Sequence, residues 1–222
     1  MSFYKIGGGY RDTHQDFVGL GPSKMASWAR LYGLGQALGI DLPSESEGLV
    51  PDPEWKLKVK GERWFVGNSY NFAIGQGDLL ATPLQINFMT ATVANGGRLF
   101  RPLLAQKIVD GEGVLIREFA PEVLRSNFIE SRFLETIKQG MKKVVEPGGT
   151  AYPFFGSSYS LGGKTGTAET SHPDKTHAWF TAFAPFENPE IAITVFLEDG
   201  GEGSKDAAPV AKEILDFYFS QK

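Results

Sequence analysis

Gly162-Gly163-Lys164-Thr165-Gly166-Thr167-Ala168-Glu169 decides what the rest of the chain must support. Ahead of it, Ser157-Ser158-Tyr159-Ser160-Leu161 alternates well enough to predict a strand leading into it. A Lys-Thr-Gly on an edge strand supplies a cation, a hydroxyl, and a glycine across which a ligand's backbone comes close. Thr167 adds a second hydroxyl, and the two-residue period of a strand puts Thr165 and Thr167 on one face. Such a strand is suited to an extended peptide ending in a carboxylate: main-chain bonds hold the peptide and the hydroxyls hold the carboxylate. Three residues also recur by chance, and the same stretch reads as an ordinary strand with a solvated lysine. Its surroundings decide between the two.

Composition narrows the field. A length of 222 residues fits one large domain or two small ones and buries a sizeable core. The 22 basic and 26 acidic side chains leave a net charge of −4, which argues against non-specific nucleic-acid binding. The absence of cysteine excludes disulfides and thiolate metal sites and is compatible with an oxidising compartment. His14, His172 and His177 lack metal-ligand spacing such as His-Glu-x-x-His, so no metal and no cofactor are expected. No apolar run approaches the ~18 residues of a membrane span and no signal peptide opens the chain. A membrane anchor is expected only outside it.

Taken in order, the chain reads as helices followed by strands. Ser2-Phe3-Tyr4-Lys5-Ile6 begins abruptly, as a helix interrupted upstream, before Gly7-Gly8-Gly9. Ser23 reads as the N-cap of a helix with Met25, Trp28, Ala29 and Tyr32 on one face, ending near Gly33-Leu34-Gly35. Asp41 to Asp52 is irregular. The basic stretch between Trp55 and Trp64 reads as a solvated turn or short helix. Thr82 and Gln85 form a capping box with Pro83 at the first helical position, and Asn95-Gly96-Gly97 ends that apolar helix. Gln106 to Glu118 predicts a hairpin around Asp110-Gly111-Glu112-Gly113. Ser131 to Val145 predicts a helix stopped by Pro147-Gly148-Gly149. His177 to Ala184 and Glu190 to Leu197 predict two strands. The last helix runs to about Phe219 with Ala211, Ile214, Leu215 and Tyr218 on its apolar face. The fold class is α+β, a helical lobe packed on a small antiparallel sheet. Residues 1–150 are mainly helical, and residues 151–222 hold three strands and the C-terminal helix.

The order of these features resembles the penicillin-binding transpeptidases. The residues that carry the resemblance are Gly75-Gln76-Gly77, Ala81-Thr82-Pro83-Leu84-Gln85, Gly149-Thr150-Ala151, Gly163 to Glu169 and Ala182-Phe183-Ala184-Pro185. Gly48-Leu49-Val50-Pro51-Asp52-Pro53-Glu54-Trp55-Lys56 resembles the elongation type (penicillin-binding protein 2) rather than the division type. The resemblance covers essentially the whole chain. It implies peptidoglycan D,D-transpeptidation: a serine is acylated by a D-Ala-D-Ala stem peptide, D-Ala leaves, and an amine of a neighbouring strand takes the acyl group. β-Lactams mimic the donor. A location on the periplasmic face of the inner membrane in the bacterial envelope, and an elongation-type glycosyltransferase partner, are implied in the same way.

The family combines Ser-x-x-Lys, Ser-x-Asn and Lys-Thr-Gly. By position, the resemblance implies that Lys164 keeps the site positive and bonds to the Ser-x-Asn serine. It implies that Thr165 and Thr167 hold the donor carboxylate, beside Gly166, and that the Thr167 N–H is one oxyanion-hole donor. Ser2-Phe3-Tyr4-Lys5 and Ser69-Tyr70-Asn71 match the other two patterns in order, but both read as decoys. Ser2 is one residue from a free terminus and three glycines follow Ile6, whereas covalent catalysis needs a serine on a rigid helix start. Ser69 falls in the approach to Gly75-Gln76-Gly77, where the family has no catalytic residue.

The expectation is therefore a C-terminal portion of one transpeptidase domain, lacking the nucleophile helix and the first two strands, and inactive alone. The strand at Glu190 to Leu197 should then have an unpaired edge. Two alternatives stand beside it: a compact serine acylase or β-lactamase-like enzyme using Ser2 and Lys5, and a non-catalytic module that binds D-Ala-D-Ala peptides.

Overall fold

The computed structural model describes residues 2–11 and 16–222; His14 lies outside them. The chain opens with helix α1 (Ser2–Gly8), the short pair β1 (Tyr10–Arg11) and β2 (Asp16–Phe17), and helix α2 (Gly21–Leu31). Helix α2 starts two residues before the expected cap. Ser23 lies inside it and Pro22 occupies the first turn, where its missing N–H goes unnoticed. Helices α3 (Pro53–Lys60) and α4 (Val66–Ala73) follow, so the basic stretch is a short helix. Asp52 caps α3 by accepting the Trp55 N–H at 2.9 Å. Its neighbour Lys56 is buried, not solvated, and donates to Asn68 Oδ1 at 2.9 Å.

Helix α5 (Pro83–Ala94) begins on the expected box: Thr82 Oγ1 accepts the Gln85 N–H at 3.1 Å, and Gln85 Oε1 accepts the Thr82 N–H at 3.0 Å. Its fully buried residues are Gln85, Thr90, Thr92 and Val93, three of them polar and each of those hydrogen-bonded. Strands β3 (Leu99–Phe100) and β6 (Val123–Arg125) pair around the hairpin of β4 (Lys107–Val109) and β5 (Leu115–Glu118). Helix α6 (Ser131–Val145) has the expected bounds and is followed by a 3-10 turn, Tyr152–Phe154.

Ser157 to Leu161 is not a strand. Its polar groups are taken by distant partners: Ser160 accepts the Phe186 N–H through both its carbonyl and its hydroxyl, and Tyr159 Oη donates to Asp216 at 2.8 Å. The strand is the Lys-Thr-Gly stretch itself, β7 (Gly162–Glu169). It pairs antiparallel with β8 (Thr176–Ala184), which pairs with β9 (Ile191–Leu197), in the order β7-β8-β9. Both β7 and β9 are edges; among the described residues no strand pairs with the outer side of β9. A one-turn π-helix (Gly203–Ala207) leads into α7 (Ala208–Ser220), with Pro209 in the first turn.

Alternation in β8 sorts the packing. Ala178, Phe180, Ala182 and Ala184 join Val145, Phe154, Ala208, Ala211 and Leu215 in one core. Phe154 stacks on Phe180 at 5.1 Å, an arrangement worth about 1 kcal/mol beyond its buried area. Ile214 stands 47% exposed, so the buried face of α7 is narrower than its sequence pattern. Thr181 turns the other way, where its hydroxyl meets Thr90 of α5 at 2.7 Å and Thr194 of β9 at 2.8 Å. Those three hydroxyls fix α5 to the sheet, and with it the floor of the cleft beside β7.

Candidate substrate cleft

The outer edge of β7 faces the loop from Ile74 to Ala81 across a cleft of about 540 Å³, with Ile86 and Met89 of α5 at its base. Gly75 and Gly77 hold φ of +78° and +80°, backbone that favours glycine, and they carry Gln76 out toward the strand. Gln76 Nε2 donates to the Thr167 carbonyl at 3.4 Å, so one side chain spans the cleft. The far end of the loop is fixed by an antiparallel bridge between Leu49 and Leu80.

Lys164, Thr165, Gly166 and Thr167 are brought together on this edge, opposite Thr181, Phe180, Trp179 and Ala178 of β8. Lys164 Nζ donates to the Thr165 carbonyl. Among the described residues no carboxylate pairs with it. Lys164 is exposed as a whole, and partial burial of its ammonium against the cleft walls lowers its pKa from the ordinary lysine value. An uncompensated cation beside apolar walls attracts an anion.

Thr165 Oγ1 lies 2.8 Å from Thr150 Oγ1, and Thr167 Oγ1 accepts the Gly203 N–H at 3.3 Å. Gly203 reaches the strand only because it lacks a side chain: a Cβ there would lie 2.3 Å from the carbonyl oxygens of Gly166 and Trp179. At Gly166 a Cβ would come within 3.1 Å of the Trp179 Cβ. His177 also lines the cleft, and its Nδ1 accepts the Asp199 N–H at 3.0 Å.

Neither serine pattern reaches this cleft. Ser69 is 3% exposed inside α4 and its Oγ accepts the Trp64 indole N–H at 2.9 Å. Lys5 Nζ sits 4.3 Å over the Tyr10 ring, and α1, which carries Ser2 and Lys5, packs on α4 and α2. Four residues in or behind the cleft had no role assigned from sequence: Gln76 and His177, which line it, and Thr150 and Gly203, which bond to Thr165 and Thr167. Gln76 and Thr150 stand in Gly-flanked segments whose pattern was legible, but the contact each makes spans the fold.

The chain belongs to the family described as the penicillin binding protein transpeptidase domain, which it matches over residues 12–216. The α+β arrangement above is the fold of that family. Within it, the chain is similar to MrdA and PBP2 enzymes. The chain is 32% identical to the peptidoglycan D,D-transpeptidase MrdA of Haemophilus influenzae over 227 residues, covering 94% of this chain and 34% of that protein. It is 34% identical to MrdA of Acinetobacter baumannii, covering 90% of this chain and 31% of that protein. It superposes on Helicobacter pylori PBP2 from its complex with MreC at a TM-score of 0.80 and 33% identity, over 99% of this chain and 38% of that one. Pseudomonas aeruginosa PBP2 in complex with WCK 5153 gives a TM-score of 0.79 at 34% identity, over 98% of this chain and 44% of that one. The chain spans about a third of the length of the curated relatives it matches.

Proposed function

We propose that this chain contributes the substrate-receiving wall of an elongation-type peptidoglycan D,D-transpeptidase. The observation that carries the reading is Lys164, with no carboxylate partner among the described residues, set beside Thr165 and Thr167 on an open strand edge that lines the cleft. In this reading the edge of β7 binds a stem peptide by main-chain bonds. Thr165 and Thr167 hold its terminal D-Ala carboxylate, and Lys164 supplies the positive field. Gly166 lets the donor backbone approach. The Thr167 N–H stabilises the oxyanion of the acyl-transfer step, where losing one such donor costs about 3–4 kcal/mol of barrier. The reaction needs no metal or cofactor.

The acylated serine is assigned to none of the described residues, because Ser2, Lys5 and Ser69 lie away from the cleft. Residues 1–222 then act as the C-terminal portion of one transpeptidase domain and form no acyl-enzyme unaided. β-Lactams are proposed ligands, supported by the relationship to Mycobacterium tuberculosis PBP3, solved complexed with aztreonam and with ampicillin. A glycosyltransferase partner is supported by the similarity to a peptidoglycan synthase complex that coordinates polymerization and crosslinking. Work on the periplasmic face of the inner membrane follows from the substrate.

The test is a β-lactam incubation followed by intact mass measurement, together with titration of a peptide ending in D-Ala-D-Ala. The expected result is an unchanged mass and reversible peptide binding that Thr165→Val abolishes. A covalent adduct on Ser2 would overturn the division of labour proposed here. Peptide binding indifferent to Thr165→Val would overturn the assignment of the site.

A further inference from the structure

We propose that Thr150 is a positioning residue for Thr165: the Thr150 hydroxyl donates to Thr165 Oγ1, which frees the Thr165 proton to point at a ligand carboxylate. The proposal rests on the carboxylate reading of β7 given above. The two oxygens are 2.8 Å apart, an ordinary O–H···O separation.

The segment after α6 is built to present this one side chain. Gly149 packs so closely against the end of the helix that a Cβ would lie 2.3 Å from the carbonyl oxygens of Lys143 and Val144. Its N–H donates to the Glu146 carbonyl at 2.8 Å, and the Ala151 N–H donates to the Val144 carbonyl at 2.9 Å. Ala151 is fully buried in the core beneath the sheet. Both neighbours of Thr150 are thus fixed, and Thr150 alone of the three is exposed. A residue held between two anchored neighbours has little freedom to turn its hydroxyl elsewhere.

The direction of the bond follows from proton counting. Each hydroxyl has one proton and two lone pairs, and a carboxylate only accepts. Only one proton can lie between the two oxygens. If it belongs to Thr165, that residue turns lone pairs toward the cleft and repels a carboxylate. If it belongs to Thr150, the Thr165 proton is free for the ligand. A bound carboxylate therefore selects the second arrangement, and a donor behind Thr165 strengthens the outer bond by polarising it. Thr150 itself need not touch the ligand.

The test uses the 222-residue chain, titrated with a peptide ending in D-Ala-D-Ala and with the same peptide as a C-terminal amide. Thr150→Val keeps the shape and removes the proton. It should weaken the acid peptide about 2- to 10-fold, the range of one net hydrogen bond. The weaker binding of the amide peptide and the melting temperature should not change, and Thr150→Ser should restore the acid peptide. Equal weakening of both peptides would overturn the relay in favour of a steric role. Loss with Thr165→Val but not with Thr150→Val would overturn the relay and leave the carboxylate site standing. A wild-type chain that does not prefer the acid peptide would remove both.

Discussion

The helix beneath the cleft and the strand beside it are built on opposite principles. On α5, which carries the cleft base, the buried polar side chains are all bonded: Gln85 accepts from the Thr82 N–H and donates to the Gln36 and Glu47 carbonyls at 2.9 and 2.8 Å. On the β7 wall the chemistry is left open, with Lys164 facing no carboxylate among the described residues and the strand edge unpaired. Satisfied polar groups rigidify, and unsatisfied ones wait for a ligand. On the proposed function, the difference separates scaffold from receptor, and it can be broken from either side.

The largest effect is expected on the scaffold helix. Gln85→Leu leaves an amide N–H and two carbonyls without their partner in a region that is 1% exposed at this side chain. At about 1–3 kcal/mol for each buried group left unpaired, the loss should reach roughly 3–5 kcal/mol after relaxation. A shift in the urea midpoint checks it. Gln85 also ties the 36–49 segment to the helix that carries the cleft base, so peptide affinity should fall in the folded fraction as well. A destabilisation under ~1 kcal/mol would mean that this helix is not held as its bonds suggest.

The receptor wall should behave in the opposite sense. Lys164→Met should weaken the acid peptide by about 10- to 100-fold, the value of a charge-assisted bond, with little loss of stability. The pH dependence sharpens this further. Desolvation lowers the pKa of Lys164 in the folded chain, whereas the unfolded chain keeps its proton up to about 10.4. Between the lowered value and that limit the unfolded state binds more protons, so the unfolding free energy rises with pH. Over the same window the cation disappears and carboxylate affinity falls. Binding and stability should therefore slope in opposite directions, and Lys164→Met should flatten both. Parallel slopes would show that Lys164 is paired, and that the wall is scaffold.

The same contrast explains what was readable in the residue order. Thr82 with Gln85, Ser131 to Val145, and the hairpin around Asp110 were legible because each is specified by neighbours within a few positions. Lys164, Thr165 and Thr167 were legible because a strand edge presents its own chemistry. Ser157 to Leu161 was misread as strand because its alternation is met by Phe186 and Asp216, far along the chain. α5 reads from sequence as an apolar helix, yet Gln85, Thr90 and Thr92 are among its most buried members. The distant partners of Gln85 and Thr90, namely Gln36, Glu47 and Thr181, are invisible to a local pattern. Thr150 sat in a recognisable segment, but its contact depends on how α6 docks against β7.

The smallest effects should come from the serine patterns, and they bear on whether the receptor wall acts without them. Ser69→Ala removes the acceptor of the Trp64 indole N–H and should cost about 1 kcal/mol of stability. Lys5→Met removes a cation lying 4.3 Å over the Tyr10 ring, worth about 0.5–1 kcal/mol at an exposed site. Neither change should alter affinity for the acid peptide, because neither side chain lines the cleft. Calorimetric titration of both variants beside Lys164→Met makes the comparison direct. A tenfold loss of peptide affinity in Lys5→Met, with the melting curve unmoved, would place α1 at the site and dissolve the distinction between a receptor strand and a distant helix. Unchanged affinity in both, with the loss confined to Lys164→Met, would leave the receiving chemistry on β7 alone.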